Sequence, residues 1–403
     1  MCTRGVFMAT AEGLAALAVT APGLAPLTAH ELRSRGIVPT RVSVEGVSFR
    51  GSLADVCTAN LWLRTASRVL VRLADFHADS FHELERRAQR VPWDRYVTPA
   101  VPVRFRITCR KSRLYHSDAV AQRLGAAVQK AGGTLRVTDA DSTGADDEPD
   151  DPAPEPNEQL VVVRVYHDRC AISLDSSGAL LHRRGYRQQT AKAPLRETLA
   201  AATLLAAGWH GQCPLLDPMC GAGTLAIEGA WLARDRAPGL DRAFTLMHWP
   251  EFDRRGWDDL VAAARAAERA ASVAIQASDR DAGAVAATGA NAARAGVAGD
   301  IELSQRPLSG IEPVRTPGWL VTNPPYGVRV GTRATVRDLY AHIGEVARSK
   351  CPGWMIAVVA ADPELARQLG FRLTSRLRTV NGGIPVEVLT ASVGSGDAGV
   401  APT

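Results

Sequence analysis

Leu215-Leu216-Asp217-Pro218-Met219-Cys220-Gly221-Ala222-Gly223-Thr224 carries more information about the fold than any other stretch of the chain. Apolar residues lead into an acid, a glycine turn follows, and Leu225-Ala226-Ile227-Glu228-Gly229-Ala230 opens a helix. Strand, turn and helix in that order form the context in which α/β proteins seat nucleotide-type ligands. Gly221 and Gly223 permit a tight turn and let a ligand lie against bare backbone. Their spacing with Ala226 fits G-x-G-x-x-G/A, although an ordinary α/β turn reads the same way. Asp217 changes the weighting. A carboxylate at the strand end would repel a pyrophosphate seated on the helix N-terminus, but it suits a ligand carrying an ammonium and a sulfonium. S-adenosylmethionine carries both. Pro218, Cys220 and Thr224 complete the candidate cofactor loop, and the need for a small side chain accounts for Cys220 better than nucleophilic chemistry does.

Leu320-Val321-Thr322-Asn323-Pro324-Pro325-Tyr326-Gly327 is the second fixed point: an apolar strand running into Asn-Pro-Pro-Tyr. Two prolines remove two N–H donors and hold the chain extended. The carbonyls of Asn323 and Pro324 can then point the same way. With the Asn323 amide oxygen they can accept both hydrogens of a planar amine, while Tyr326 stacks on the attached ring.

Outward from these motifs, strands and helices alternate. Strands are expected at 214–217, 272–278, 300–304, 318–322 and 354–361, with helices at 194–207, 224–233, 281–295, 333–349 and 362–369. Strands 371–380 and 384–391 flank Asn381-Gly382-Gly383, an antiparallel hairpin. The pattern describes a doubly wound α/β sheet with a hairpin edge. Segment 235–271 reads as a helical cover inserted between its first helix and second strand. Asp279, just after the second of these strands, stands where an acid can accept both ribose hydroxyls; Asp281 caps the next helix.

Before residue 194 the order is strand 15–20, helix 22–35, hairpin 41–50, a helix to about Arg64 and strand 68–76, a ferredoxin-like arrangement. A helix at 79–91, a strand at 101–107, a helix to Lys130 and strands at 134–138, 159–166 and 170–175 follow. The strand at 101–107 turns Val103, Phe105 and Ile107 to one face and Arg104 and Arg106 to the other. Arg110, Lys111, Arg113, Tyr115 and His116 come next. Bases interleaved with rings suit a surface that tracks RNA backbone, though a solvated strand edge looks alike. Arg183 and Arg184 lie in a basic connector, Leu181 to Arg187.

The totals bound the class. At 403 residues and 46% hydrophobic, the chain holds two or three domains with a sizeable core. No apolar run reaches the ~18 residues of a membrane helix. Seven cysteines, odd in number and never spaced Cys-x-x-Cys, indicate free thiols in a reducing cytoplasm and no zinc site. Residues 139–158 hold nine acids and no base, and read as a disordered surface loop. Setting those nine acids aside turns the net +5 into +14, which fits a phosphate-rich partner.

Together these residues resemble the bacterial THUMP-domain RNA guanine-N2 methyltransferases, most closely the N-terminal methyltransferase half of the fused large-subunit rRNA enzyme. The likeness runs from about residue 13 to 391. It includes Leu61-Trp62-Leu63-Arg64-Thr65-Ala66-Ser67-Arg68, His182-Arg183-Arg184-Gly185-Tyr186-Arg187, the run from Ala193 to Ala202, Asp235-Arg236-Ala237-Pro238-Gly239-Leu240 and both motifs above. Asn-Pro-Pro-Tyr is shared with adenine-N6, cytosine-N4 and glutamine-N5 methyltransferases, so it points to the amine and not to the substrate.

The resemblance implies a ferredoxin-like region at 1–76, a THUMP RNA-binding domain at 77–180, a linker at 181–193 and a class I (Rossmann-like) methyltransferase domain at 194–395. It implies S-adenosylmethionine held by Asp217, Gly221, Gly223 and Asp279, and a guanine held by Asn323, Pro324 and Tyr326. The partner would be RNA, rRNA before tRNA. One departure stands out: the acid that the family places after the third strand is missing from Ser304-Gln305-Arg306-Pro307, which leaves adenine to Gln305 or to backbone. Three rival readings stay open: a tRNA guanine-N2 enzyme, a DNA adenine-N6 enzyme, and an RNA-binding module whose catalytic half has decayed.

Overall fold

β1 (Leu14–Thr20) buries Ala16, Ala18 and Thr20 and leaves Ala15, Leu17 and Val19 half-exposed, as a strand covered on one face should. In the computed structural model, which describes residues 13–136, 158–188, 195–326 and 333–394, it belongs to the first of two compact units. That unit takes the residues up to Ala21 together with Thr28–Leu181 and Arg242–Ala263. Its strands continue with β2 (Pro39–Ser43), β3 (Gly46–Gly51), β4 (Ala66–His77), β5 (Val103–Arg110), β6 (Gln159–Tyr166) and β7 (Arg169–Asp175).

These seven form one sheet in the order β2-β3-β1-β4-β7-β6-β5, antiparallel except for β5 with β6. The ferredoxin-like strands and those after residue 100 therefore share a single sheet. The reason is β4, twelve residues long, which pairs with β1 through its first half and with β7 along most of its length. A buried ion pair, Arg68 to Asp175, pins that junction, and Arg68 also donates to the Gly178 carbonyl. Helix α2 (Leu53–Trp62) begins with a capping box between Ser52 and Asp55, and Val56, Ala59 and Leu61 are buried along it. Helices α1 (Ala25–Ser34), α3 (Phe81–Ala88) and α4 (Ser117–Lys130) follow the expected order.

Three expectations change here. Of the strand expected at 134–138, the described part, 134–136, makes an isolated bridge between Leu135 and Val103, and residues 137–157, with most of the acidic run, lie outside the described residues. Glu158, the last acid of that run, is 3% exposed and receives both Arg104 and Arg136 at 3.1 Å. The segment 235–271 divides, because Arg242–Ala263 belongs to the first unit. Arg242 donates to the carbonyls of Ala179 and Leu180, Trp249 Nε1 to Gln159 Oε1 at 2.8 Å, and Arg95 grips Glu251 through two bonds of 2.7 Å.

The second unit takes Pro22–Leu27, His182–Asp241 and the chain from Ala264 on. Its strands are β8 (Leu215–Asp217), β9 (Ile275–Asp279), β10 (Ile301–Gln305), β11 (Trp319–Thr322), β12 (Met355–Ala360), β13 (Thr374–Asn381) and β14 (Ile384–Ser392). The order is β10-β9-β8-β11-β12-β14-β13, with the first five parallel and the last two antiparallel. Helices α5 (Glu197–Ala207), α6 (Thr224–Ala233), α8 (Ala282–Arg294), α9 (Arg333–Lys350) and the short α10 (Pro363–Ala366) complete the alternation, while α7 (Arg254–Ala266) lies in the first unit as far as Ala263.

Alternate residues of the strands feed two cores. Leu215, Ile275, Ala277, Val321, Ala357 and Val359 join Leu199, Leu225 and Ile227 on one side; Leu216, Leu320, Ile356 and Val358 join Tyr340 and Ile343 on the other. From β8 the chain steps outward through β9 and β10, then returns to lay β11 and β12 on the opposite side. The strand order thus reverses between β8 and β11, and a crevice opens outside the carboxyl ends at such a reversal. Asp217 ends β8 and Asn323 follows β11, one on each side of that point.

Candidate active site

The glycine turn is fixed by hydrogen bonds between distant side chains and its backbone, which the sequence could not reveal. Gly221 and Gly223 have φ of 55° and 83°, in the left-handed region that glycine adopts without strain. Gly223 is also the N-cap of α6, and a Cβ there would come within 2.7 Å of the Thr288 methyl. The Gly221 N–H donates to Asp279 Oδ2 at 3.1 Å, and the Asp281 N–H to Asp279 Oδ1 at 3.0 Å. From α8, Thr288 donates to the Gly221 carbonyl at 2.9 Å and Asn291 to the Ala222 carbonyl at 2.9 Å. Thr288 and Asn291 are both fully buried, and sequence reasoning missed them; polar side chains on the inner face of a small-residue helix were the available signal.

Asp217 is 2% exposed and accepts the Met219 N–H at 3.2 Å. Burial pushes its carboxyl up to about 7, with the nearby Asp279 charge adding to the effect and the Met219 N–H opposing it. No Lys, Arg or His pairs with it among the described residues. A buried carboxylate without a cation suits a ligand that brings its own positive charge. Two consequences follow for pH. Because the folded state holds this proton more tightly than the unfolded chain, Asp217 weakens folding as pH rises from about 4 to about 7, with no further change above that. Affinity for a cationic ligand should rise over the same interval. Thermal melts and calorimetry between pH 5 and 8 check both, and Asp217→Asn should flatten both curves.

The rest of the loop behaves as structure. Pro218 and Thr224 are buried. Cys220 is buried, its thiol pushed up to about 12 chiefly by burial, with Sγ 3.5 Å from the Thr288 hydroxyl, so it is inert packing. Gln305 pairs with Asp279 in the β9–β10 register and donates to the Arg280 carbonyl at 3.4 Å.

Across the reversal, Pro324 is buried while Asn323, Pro325 and Tyr326 are half-buried. The Tyr326 hydroxyl donates to Asn323 Oδ1 at 2.5 Å and accepts from Asn381 Nδ2 at 3.4 Å, which brings the hairpin of β13 and β14 onto the loop. Burial pushes the Tyr326 hydroxyl up to about 12, so it remains protonated and a donor. Asn381 had no signal in the sequence beyond its place in Asn-Gly-Gly. Residues 327–332 lie outside the described residues.

The candidate RNA contacts separate. Arg110, Lys111 and Arg113 are exposed and Arg106 and Arg183 are half-buried. Arg113 makes a surface pair with Asp79 at 3.0 Å. Arg104 is drawn inside by Glu158, and Arg184, 3% exposed, faces Glu228 at 3.5 Å. Neither is available as a surface contact. Arg184 instead joins a buried cluster behind the glycine turn. Glu228, fully buried on α6, also accepts from the Tyr186 hydroxyl at 3.0 Å; Arg187 pairs with Glu197 at 3.0 Å; Arg294 donates to the Tyr186 carbonyl at 2.8 Å and bonds Asn291. An acid in the otherwise apolar run Leu225 to Ala230 was the legible hint. Glu228→Ala should cost about 3–5 kcal/mol, since it leaves Arg184 buried without its acid; a urea melt measures it. Among the described residues, no group of three or more His, Cys, Asp or Glu could hold a metal, and no helix is long and apolar enough to cross a membrane.

A parallel sheet that reverses between an acid-ended strand with its glycine turn and an Asn-Pro-Pro-Tyr strand, closed by an antiparallel hairpin, defines a class I methyltransferase fold. Residues 184–388 match the model of the RMKL-like methyltransferase domain, and residues 15–70 that of the RlmL ferredoxin-like domain. The chain belongs to the RMKL-like methyltransferase family, whose methyl donor is S-adenosylmethionine.

A candidate RNA methyltransferase of Synechocystis sp. is 33% identical, over 92% of this chain and 95% of its own length. The ribosomal RNA large subunit methyltransferase K/L of Syntrophotalea carbinolica is 36% identical over 93% of this chain and 53% of its own; the chain spans about half the length of such K/L relatives. Among solved structures, SMU.472, a candidate methyltransferase crystallised with SAH, superposes with TM-score 0.82 at 25% identity, covering 95% of this chain and 98% of that one. TrmN of Thermus thermophilus shares the fold, with TM-score 0.66 at 20% identity over 94% of this chain and 99% of that one.

Proposed function

We propose that the chain transfers a methyl group to the exocyclic N2 of a guanine in structured RNA, 23S rRNA first. The observation that carries this reading is the pair of motifs at the sheet reversal: a buried, cation-seeking carboxylate at the end of β8 and a proline-stiffened acceptor loop at the end of the adjacent β11. The likeness to large-subunit rRNA enzymes supports the substrate class.

When bound, S-adenosylmethionine supplies a methyl on a positively charged sulfur. The residues present fit it. Asp217 offers uncompensated negative charge, Gly221 and Gly223 offer bare backbone, and Asp279 has lone pairs beyond its two N–H bonds for ribose hydroxyls. Gln305 lies beside Asp279 for the adenine, and Pro218, Cys220 and Thr224 shape the turn.

On the acceptor side, Asn323 and the Pro324 carbonyl take the two amine hydrogens, Pro325 keeps the loop extended, and Tyr326 supplies a ring face. The Tyr326 hydroxyl now holds the Asn323 amide oxygen, so the incoming amine replaces it there. The guanine amine is a weak nucleophile because its lone pair is delocalised into the ring. Accepting both N–H groups turns that pair toward the methyl and stabilises the positive charge that builds on nitrogen as the N–C bond forms and the S–C bond breaks. One proton then leaves the nitrogen for water. Positioning and electrostatics supply the acceleration without a strong base. The base must leave its stack to reach the loop.

For the RNA, Arg106, Arg110, Lys111, Arg113 and Arg183 remain the candidate contacts within the region 77–180 and its connector. A tRNA guanine, the alternative open from the sequence, stays as a second substrate class. Mass mapping of modified guanosines in rRNA and tRNA, with and without the gene, tests the reading. An N2-methylguanosine lost from 23S rRNA supports it, one lost from tRNA supports the second class, and intact modification in both overturns it.

A further inference from the structure

The outward face of the first unit's sheet holds a groove of about 460 Å³. Strand alternation builds it. While Ala16, Ala18, Val47 and Phe49 turn inward and are buried, Ala15 and Leu17 face out; the register sets Ala15 opposite Arg50, Leu17 opposite Ser48, and Ser48 opposite Arg41 on β2. Small and apolar residues therefore form a floor, with guanidinium and hydroxyl groups along the walls and Arg72 of β4 at one side.

Charge in the groove is one-sided. Glu45 is the single acid lining it, and Arg164 already pairs with that carboxylate at 3.2 Å. The side chains of Arg41 and Arg72 make no hydrogen bond or ion pair among the described residues. Burial holds the Arg72 guanidinium below its ordinary range; Asp75 and Glu45 act against this from a distance and Arg164 acts with it. A partly desolvated guanidinium without a bonded counter-ion is stabilised by an anion from outside, and the planar fork matches a phosphate. Two such cations on separate strands suit successive phosphates better than one small ion. Val44, 85% exposed at the hairpin tip, adds an apolar rim.

We propose that this groove binds the phosphodiester backbone of single-stranded RNA, with Arg41 and Arg72 on phosphates and the Ser48 hydroxyl on a phosphate or sugar oxygen. The assignment rests on the RNA reading above and adds a contact surface to it, distinct in residues from those between Arg106 and Arg183.

The test uses the full chain and a labelled U20 oligoribonucleotide, which contains no guanine and cannot be turned over. Anisotropy is measured from 0.05 to 0.3 M salt. Arg41→Gln/Arg72→Gln should bind roughly tenfold more weakly near 0.15 M salt, with a salt slope smaller by about 1.4, the share of two phosphate contacts on a single strand. Arg41→Lys/Arg72→Lys should keep most of the affinity, and Arg90→Gln, an exposed arginine on no part of the groove, should match wild type. Wild-type affinity and slope in the double glutamine variant overturn the groove assignment; rRNA methylation by the unaltered protein would then leave the enzyme reading standing. A wild-type protein that neither binds U20 nor methylates RNA removes both.

Discussion

Asn323→Ala should lower kcat by at least about 100-fold, close to 2.7 kcal/mol, while S-adenosylmethionine binds with nearly unchanged affinity. The asymmetry follows from when the contact matters. The ground-state amine is neutral and needs little help, whereas charge on its nitrogen grows as the methyl arrives. An acceptor aimed at its hydrogens therefore acts mainly on the transition state. The substitution also strips the Tyr326 hydroxyl of its acceptor and leaves it only Asn381, 3.4 Å away. Tyr326→Phe separates the two effects, since it keeps the ring face and frees the Asn323 oxygen. Single-turnover kinetics with saturating cofactor provide the measurement, and near-normal turnover in Asn323→Ala rules out the assigned role.

The second large effect is expected at Asp217. Asparagine there keeps the shape and the Met219 contact but removes the charge. Loss of a buried charge partner costs a cationic ligand about 2–5 kcal/mol, so affinity for S-adenosylmethionine should fall at least about 30-fold. The same change should raise the melting temperature of the ligand-free protein above pH 7, where the folded state otherwise carries an unpaired buried carboxylate. A variant that melts higher and binds worse is the signature to look for by calorimetry and thermal shift. Unchanged affinity would move the cationic ligand away from this residue.

Much of this was legible because local chemistry dictated it. The glycine turn, the alternating strands and the proline-stiffened loop each announce themselves within ten residues, and α6 falls at 224–233 as expected. What escaped were pairings between distant segments. Nothing near Arg104 foretells that Glu158 will draw it inside, and nothing in the connector shows that Arg184 and Tyr186 meet Glu228 forty residues on. Alternation assigned Arg104 to a face correctly as arithmetic, but at Arg104 that face is closed by Glu158. Likewise, the long β4 could be seen as a strand, yet its capacity to join two sets of strands into one sheet depends on β7, a hundred residues away.

The order β12-β14-β13 has a consequence for biosynthesis. Within this sheet the strand made last takes an interior place, so translation runs past residue 384 before the neighbouring edge is sealed. Until then β12 presents a row of open N–H and C=O groups, an invitation to wrong partners in the crowded cell. Nonsense variants that stop inside the hairpin should therefore be degraded or aggregate instead of accumulating as shortened, working enzyme.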